Sequence, residues 1–552
     1  MSERGNAVDS DRRAREFVER ETQFQLGFLT TEQSHPLTSD LGEATRRDSA
    51  EGVRLLLAVD GDIVRAAPGQ LASHGFARLA DAFAAAARTG RRVVFSGCGS
   101  TGRLAVLLES IWRRAWSAPG HAKIASLARG IITGGDRALI RSVESFEDYE
   151  EFGREQTREL ALRPGDLFVA ISEGGETSSV IGTARQALDD GCEVFFLFNN
   201  PADLLRRRIE RSRTIIDDPR VTAIDLTTGP MALAGSTRMQ ATTAELFFVG
   251  SAIEAAFRRP GAGEAPGPAA LPLAGLAERA CTALERLVDD LRAPHNVRAI
   301  ARLAEHEATA YDRGRMVLYA AGEHLLDVFA DTTERSPTFS VPPLKRASDG
   351  ADVPNPWAAA YHPSARGEAA WLRMLGRRPV GLGWDAETYR RLEAPALAAA
   401  PPPLGLDEIL SYPVGTEVPE RYRADTDLAL DVRWLRDGDE GRLEIASDRD
   451  LTSVRLSVPA GALDLASHLA VKLVFNTLST ATMALMGRVR GNWMVQVSPT
   501  NKKLIDRSIR IVSALRSVDY SEAARLVFRE LDARGGANES LVHDILESPG
   551  TR

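Results

Sequence analysis

Two short stretches carry the residue types that could hold an anion. In RRVVFSGCGSTGRLAVLLES, residues 91–110, apolar Val93, Val94 and Phe95 run into Gly97, Gly99, Ser100, Thr101 and Gly102, and a helical pattern starts at Arg103. In ISEGGETSSV, residues 171–180, a second apolar run ends in Ser172, Gly174, Gly175 and Thr177 before another helical pattern. A strand that turns through small, hydroxyl-bearing residues into a helix offers free N–H groups, O–H donors and the positive end of the helix dipole. One such turn is as readily structural as functional. Two in one sheet would aim donors at a single oxyanion with little formal positive charge, which suits a small phosphomonoester. A nucleotide is disfavoured, because no Walker Lys-Ser/Thr pair is present.

The elements that must position these turns follow from the rest of the chain. Short apolar runs at 93–97, 167–172, 192–200 and 221–226 alternate with helical segments, the pattern of a doubly wound α/β sheet whose ligands sit at the carboxyl ends of its strands. A stretch rich in Pro, Gly and Ala, 258–275, reads as a linker; a second, 394–405, reads as an internal loop. Beyond the linker, RMVLYAAG at 315–322, strand-like runs near 430–457 and a long apolar helix around 466–487 predict a second unit of related kind. The expected division is a helical segment at 1–50, a first sheet domain at 51–258, a linker and connecting helix at 259–290, a second sheet domain at 291–497 and a short helical tail at 498–552. At 552 residues the chain exceeds one ordinary core, and 44% hydrophobic content is that of a soluble globular protein. A net charge of −8 argues against nucleic acid. Three cysteines, Cys98, Cys192 and Cys281, and nine histidines show no metal-type spacing, so no metal and no cofactor are expected. No apolar run approaches a membrane span, and a cytoplasmic protein is expected.

The pair GCGSTGR and ISEGGET resembles the sugar isomerase (SIS) domain, a phosphosugar-binding α/β module. The likeness extends to residues 29–44, 132–151, 229–245, 471–497 and 500–512, which are similar to N-acetylmuramic acid 6-phosphate etherases and to the glucokinase regulatory protein family. It implies two SIS-type parallel-sheet domains in tandem. Gly99, Ser100, Thr101 and Gly102 match the phosphate loop, and Ser172, Gly175 and Thr177 fall in the second loop, where Gly174 stands in place of the common serine. Glu147 falls on the etherases' proton-abstracting base; read by composition alone, it also fits a solvated acidic run with Glu144, Asp148 and Glu150. Lys503, in TNKKL, matches a lysine that reaches the phosphosugar.

The etherases' acid closes a D-A-S-E segment on the helix after the phosphate loop. Aligned without gaps, that position is Ile111 in the first half, whereas the second half places Asp331 and Glu334 on the segment. The second half's own loop carries Glu323, His324 and Leu325 where hydroxyls and glycine belong, and a carboxylate there repels phosphate. Ser100 and position 111 lie about 16 Å apart on a straight helix, so an acid of this kind must serve another half's loop. One composite site is therefore expected, with catalytic Glu147 and Glu334 and with Lys503 reaching a sugar held by the first half. Met231 and Gln240 replace the family's glutamate and lysine, and Arg238 is expected to organise its loop. RRRIERSR, 206–213, reads as a solvated helix face. The resemblance implies a sensor of a hexose 6-phosphate or amino-sugar 6-phosphate, with a sugar kinase as its partner, or alternatively a carbon–oxygen lyase releasing lactate.

Overall fold

The computed structural model describes residues 3–117, 121–258, 272–438, 440–447, 451–457, 463–534 and 540–548. The first sheet comprises β1 (Val93–Gly97), β2 (Ala128–Ile132), β3 (Leu167–Ile171), β4 (Glu193–Phe198) and β5 (Val221–Asp225), all parallel, in the order β2-β1-β3-β4-β5. Both faces are covered: Val93 and Phe95 enter one apolar core with Phe83 and Trp112, and Val94 enters another with Val180 and Ile181. Burial on both faces is why these strands read as continuous apolar runs. The order changes direction between β1 and β3, and the two hydroxyl-rich turns leave the carboxyl ends of those two neighbours, where open α/β sheets bind ligands.

The second sheet comprises β6 (Met316–Ala321), β7 (Ala358–Tyr361), β8 (Thr426–Asp437), β9 (Glu440–Ala446) and β10 (Leu451–Ser457), in the order β10-β9-β8-β6-β7. Here the expectation of a parallel sheet holds for β7, β6 and β8, whereas β8, β9 and β10 form an antiparallel meander. The connection from β8 to β9 is too short for a crossover helix and passes through Gly438 at φ +59°. Most of the expected linker, 259–271, lies outside the described residues; its end is already helix, Leu273–Leu291. The expected loop at 394–405 contains a short helix, Pro395–Ala399.

The halves meet through helices Gln240–Phe257 and Leu465–Leu485, both buried almost along their whole length, and one apolar core runs through both sheets. The first helix, Glu3–Arg20, packs on Tyr520–Ala533, where the rings of Phe17 and Phe528 stand 5.7 Å apart. Among the described residues no helix is long and apolar enough to cross a membrane.

Candidate functional site

A cleft opens over the carboxyl ends of β1 and β3. Its walls come from distant parts of the sequence: Gly99 and Ser100, Glu147, Glu173, Glu176 and Thr177 from the first half, Glu334 from the second, Lys503 and Arg507 from the helix Lys502–Arg516, and Glu32 from the segment before the first sheet.

The β1 turn is shaped by its hydroxyls. Gly99 sits at φ +56° and a side chain there would meet nothing within 4 Å, so the backbone faces open space. Thr101 closes the first turn of the helix Gly99–Ala115, accepting from Cys98 N at 3.2 Å and donating to Cys98 O at 2.7 Å. Ser100 Oγ donates to Glu173 Oε1 at 2.7 Å, and Thr242 Oγ1 donates to the same oxygen at 3.1 Å. Burial pushes the pKa of Glu173 up, against the lowering effect of those two hydroxyls.

The β3 turn carries charge. Lys503 Nζ bonds Glu147 at 3.0 Å and Glu176 at 3.1 Å. Burial works against the lysine's charge, but Glu147, Glu176 and Glu32 outweigh it and hold its pKa well above the ordinary value. Glu32 is clasped by Arg507 at 2.7 Å and Arg510 at 2.6 Å; burial opposes its charge, yet the two arginines bring its pKa down to about 2.

Glu334 reaches this cleft from the helix Leu325–Phe339. Arg103 Nη1 pairs with Glu334 Oε2 at 2.6 Å and donates to Gly99 O at 3.3 Å, so one guanidinium nitrogen joins the second half's carboxylate to the β1 turn. Arg238 lines the cleft as well as organising its own loop: it pairs with Asp331 at 3.0 Å and bonds Ser479 and Thr480 at 3.1 and 2.7 Å. Lys472 donates to Arg238 O at 2.7 Å, and burial next to that arginine brings the lysine's pKa down to about 7.

The expected residues separate into two layers. Gly99, Ser100, Thr177, Glu147, Glu334 and Lys503 line the cleft. Thr101, Gly102, Ser172 and Gly175 lie beneath it: Gly102 packs against Ile132, Ser172 Oγ accepts Thr177 N at 3.4 Å, and Gly175 packs on Leu205. Ile111 is buried in the apolar core. His324 is buried 2.9 Å from Ser467 Oγ, and burial beside His468 lowers its pKa to about 3. Gln240 serves its own fold, accepting from Ala232 N at 2.9 Å and donating to Asp60 at 2.8 Å. Of the arginines in 206–213, Arg211 turns inward to the carbonyl of Glu176 rather than joining a solvated face. Sequence reasoning missed Glu173, Thr242 and Arg103; the available signal was a glutamate inside ISEGGET itself. Among the described residues no group of His, Cys, Asp and Glu could hold a metal ion.

Comparison with known proteins fixes the lineage. The chain is 33% identical over 225 residues to the N-acetylmuramic acid 6-phosphate etherase of Salmonella agona (strain SL483), a match spanning 40% of this chain and 67% of that protein. The etherase of Salmonella typhi is 33% identical over 220 residues, with the same coverage. The chain belongs to the N-acetylmuramic acid 6-phosphate etherase family. Residues 76–188 also match the family described as the glucokinase regulatory protein N-terminal SIS domain. Among solved structures it is similar to the C-terminal domain of glucosamine-fructose-6-phosphate aminotransferase from Francisella tularensis, at 11% identity and a TM-score of 0.36, covering 77% of this chain and 96% of that one. A phosphosugar isomerase from Silicibacter pomeroyi DSS-3, named as putative, aligns at 15% identity and a TM-score of 0.35, covering 78% and 98%. Within the cleft, the hydroxyls of the β1 turn and Lys503 are both engaged by carboxylates of the β3 turn.

Proposed function

We propose that the cleft binds one hexose 6-phosphate or amino-sugar 6-phosphate per chain. The first half seats the phosphate at Ser100 and the β3 turn, and Glu334 and Lys503 complete the site around the sugar. The observation that carries this reading is the Arg103 bridge, which brings a carboxylate from the second half to the rim of the first half's turn. A ligand lying across that bridge senses the packing of the two halves, so occupancy can be passed to a protein partner; a sugar kinase is the partner implied by the regulatory branch.

Sensing is favoured over turnover by the state of the two carboxylates. Release of lactate needs a base to remove the sugar C2 proton, which is alpha to the C1 aldehyde of the open-chain form, and an acid to protonate the lactate oxygen as its bond to C3 breaks, after which water adds across the new double bond. Glu147 is tied to Lys503 and Glu334 to Arg103, so each candidate is committed to a fixed cation. The etherase reading keeps one observation in its favour: Glu147 and Glu334 line the same cleft. In that mechanism Glu147 would take the proton and Glu334 would return one to the leaving oxygen. The deciding experiment incubates the protein with N-acetylmuramic acid 6-phosphate and measures lactate, alongside calorimetry with glucose and glucose 6-phosphate. Phosphate-dependent binding at one site per chain without lactate supports sensing, and steady lactate release refutes it. Equal affinity for glucose and glucose 6-phosphate, or two ligands per chain, refutes the composite phosphosugar site.

A further inference from the structure

The hydroxyls of the β1 turn already face an anionic group. Glu173 Oε1 accepts Ser100 Oγ at 2.7 Å and Thr242 Oγ1 at 3.1 Å, while Oε2 stands 3.2 Å from Thr101 Oγ1. The residue is only 7% exposed, yet it lines the cleft. Ser100 has one proton to give. While it points at Glu173 it cannot also point at an oxygen of a ligand.

The charges around Glu173 come from every element packed against it. Glu176 follows on its own turn, and Glu245 lies one helical turn beyond Thr242, with both carboxyl oxygens buried and unpartnered. Lys472 approaches from the helix Leu465–Leu485 and Lys503 from the helix Lys502–Arg516, but Lys472 is turned to Arg238 O and Lys503 to Glu147 and Glu176. Among the described residues no cation pairs with the Glu173 carboxylate. An incoming phosphate therefore meets a like charge in a desolvated pocket, where such repulsion is poorly screened.

Resting on the reading that the cleft takes a sugar phosphate, we infer that Glu173 makes that binding proton-linked: its carboxyl takes up one proton from solvent as the phosphate enters and releases the Ser100 hydroxyl to the ligand. The protonated carboxyl keeps its place, loses its charge and gains an O–H that can donate to a phosphate oxygen. Burial favours the same neutral form. Glu173 thus determines specificity by charge state, and the site rejects phosphate esters as pH rises.

The test is calorimetry of glucose 6-phosphate, with glucosamine 6-phosphate as a second probe, in buffers of different ionisation enthalpy at about pH 7 and about pH 8.5, where the ligand's own phosphate is mostly a dianion. Wild-type protein should take up close to one proton, and its affinity should fall about tenfold per pH unit. Glu173→Gln should bind without proton uptake, with little dependence on pH, and at least tenfold tighter than wild type at about pH 8.5. The proton count on wild type needs no variant, so it stands even where Glu173→Gln fails to fold. Binding of both probes by wild type with no proton uptake and a flat pH profile would overturn the inference while leaving the phosphosugar reading intact. Absence of binding by wild type and variant at every pH would overturn both.

Discussion

Replacing Glu334 with alanine leaves Arg103 buried without its counter-charge. The Arg103 side chain is 3% exposed, that of Glu334 14%, and the pair spans 2.6 Å between the two halves. Removing one partner of a buried ion pair costs about 3–5 kcal/mol. Arg103 retains Gly99 O at 3.3 Å and Leu139 O at 3.5 Å, long hydrogen bonds that return little, so Glu334→Ala should destabilise by about 3 kcal/mol. Removing both charges with Arg103→Met and Glu334→Ala should cost much less than the sum of the single changes, because neither charge is then left uncompensated; the expected coupling is roughly 2 kcal/mol. The assay is a double-mutant cycle in urea on the full chain, read at the first unfolding transition. The same four proteins, titrated with glucose 6-phosphate, separate stability from site: the double variant should recover stability but not ligand affinity. A loss below about 1 kcal/mol for Glu334→Ala, or single changes that add within about 0.5 kcal/mol, would refute the claim that this pair holds the halves together over the cleft.

Other expected outcomes follow from neighbouring groups. Ser100→Ala or Thr177→Val should weaken glucose 6-phosphate binding about ten- to a hundredfold, since each removes a hydroxyl available to a charged oxygen, and leave any glucose binding unchanged; calorimetry reads both. If the wild-type protein does release lactate, Glu147→Gln should slow that release by about 10²–10⁴-fold while binding survives, and an unchanged rate would exclude Glu147 as the base. Burial pushes the pKa of Asp60 from 3.8 up to about 6. The folded chain therefore keeps a proton that the unfolded chain gives up: the contribution is fully present below about pH 4 and is lost as pH rises through about 6. Asp60→Asn should thus gain on wild type by roughly 3 kcal/mol between those limits, measured by urea unfolding at several pH values, and a pH-independent difference would count against the buried acid.

What the sequence revealed and what it withheld have a common physical cause. β1, β3 and β4 announce themselves because strands covered on both faces need uninterrupted apolar residues, whereas β5, half-exposed at the sheet edge, is marked only by the β-branched and apolar residues of VTAID. β2 was missed: at the sheet edge its five residues, ARGII, include an arginine and a glycine, and Gly130 is needed where an added side chain would strike the Ala105 backbone. The runs near 430–457 read as strands, but side-chain alternation carries no direction, so their antiparallel pairing was not foreseen. Within the site, local features were readable and long-range ones were not. Glu173 lies in a quoted motif, yet its role depends on Thr242, which folds back from 69 residues away. Glu334 is the exception: the resemblance to the D-A-S-E segment named it, and the length of a helix, which keeps one loop and its own position 111 from touching the same ligand, assigned it to the other half's loop.

The asymmetry between the halves then becomes an argument about where charge can be tolerated. In the second half the turn after β6 has been turned over to packing: the carbonyl of Glu323 accepts Arg114 at 2.8 Å, and His324 is buried in its neutral form. The charge kept by that half lies on the helix Leu325–Phe339, where Asp331 joins Arg238 and Arg335, and Arg335 in turn pairs with Glu307 at 3.0 Å. All four side chains are almost fully buried, and such networks add little net stability compared with apolar packing. What this one does supply is register. Arg238 from the first half meets Asp331 from the second in one allowed geometry, and Glu334, three residues further along the same helix, is thereby delivered to Arg103 at the mouth of the cleft. A loop that holds an anion needs only local turns; a site completed from a second half needs the crossing angle fixed, and the buried arginines fix it.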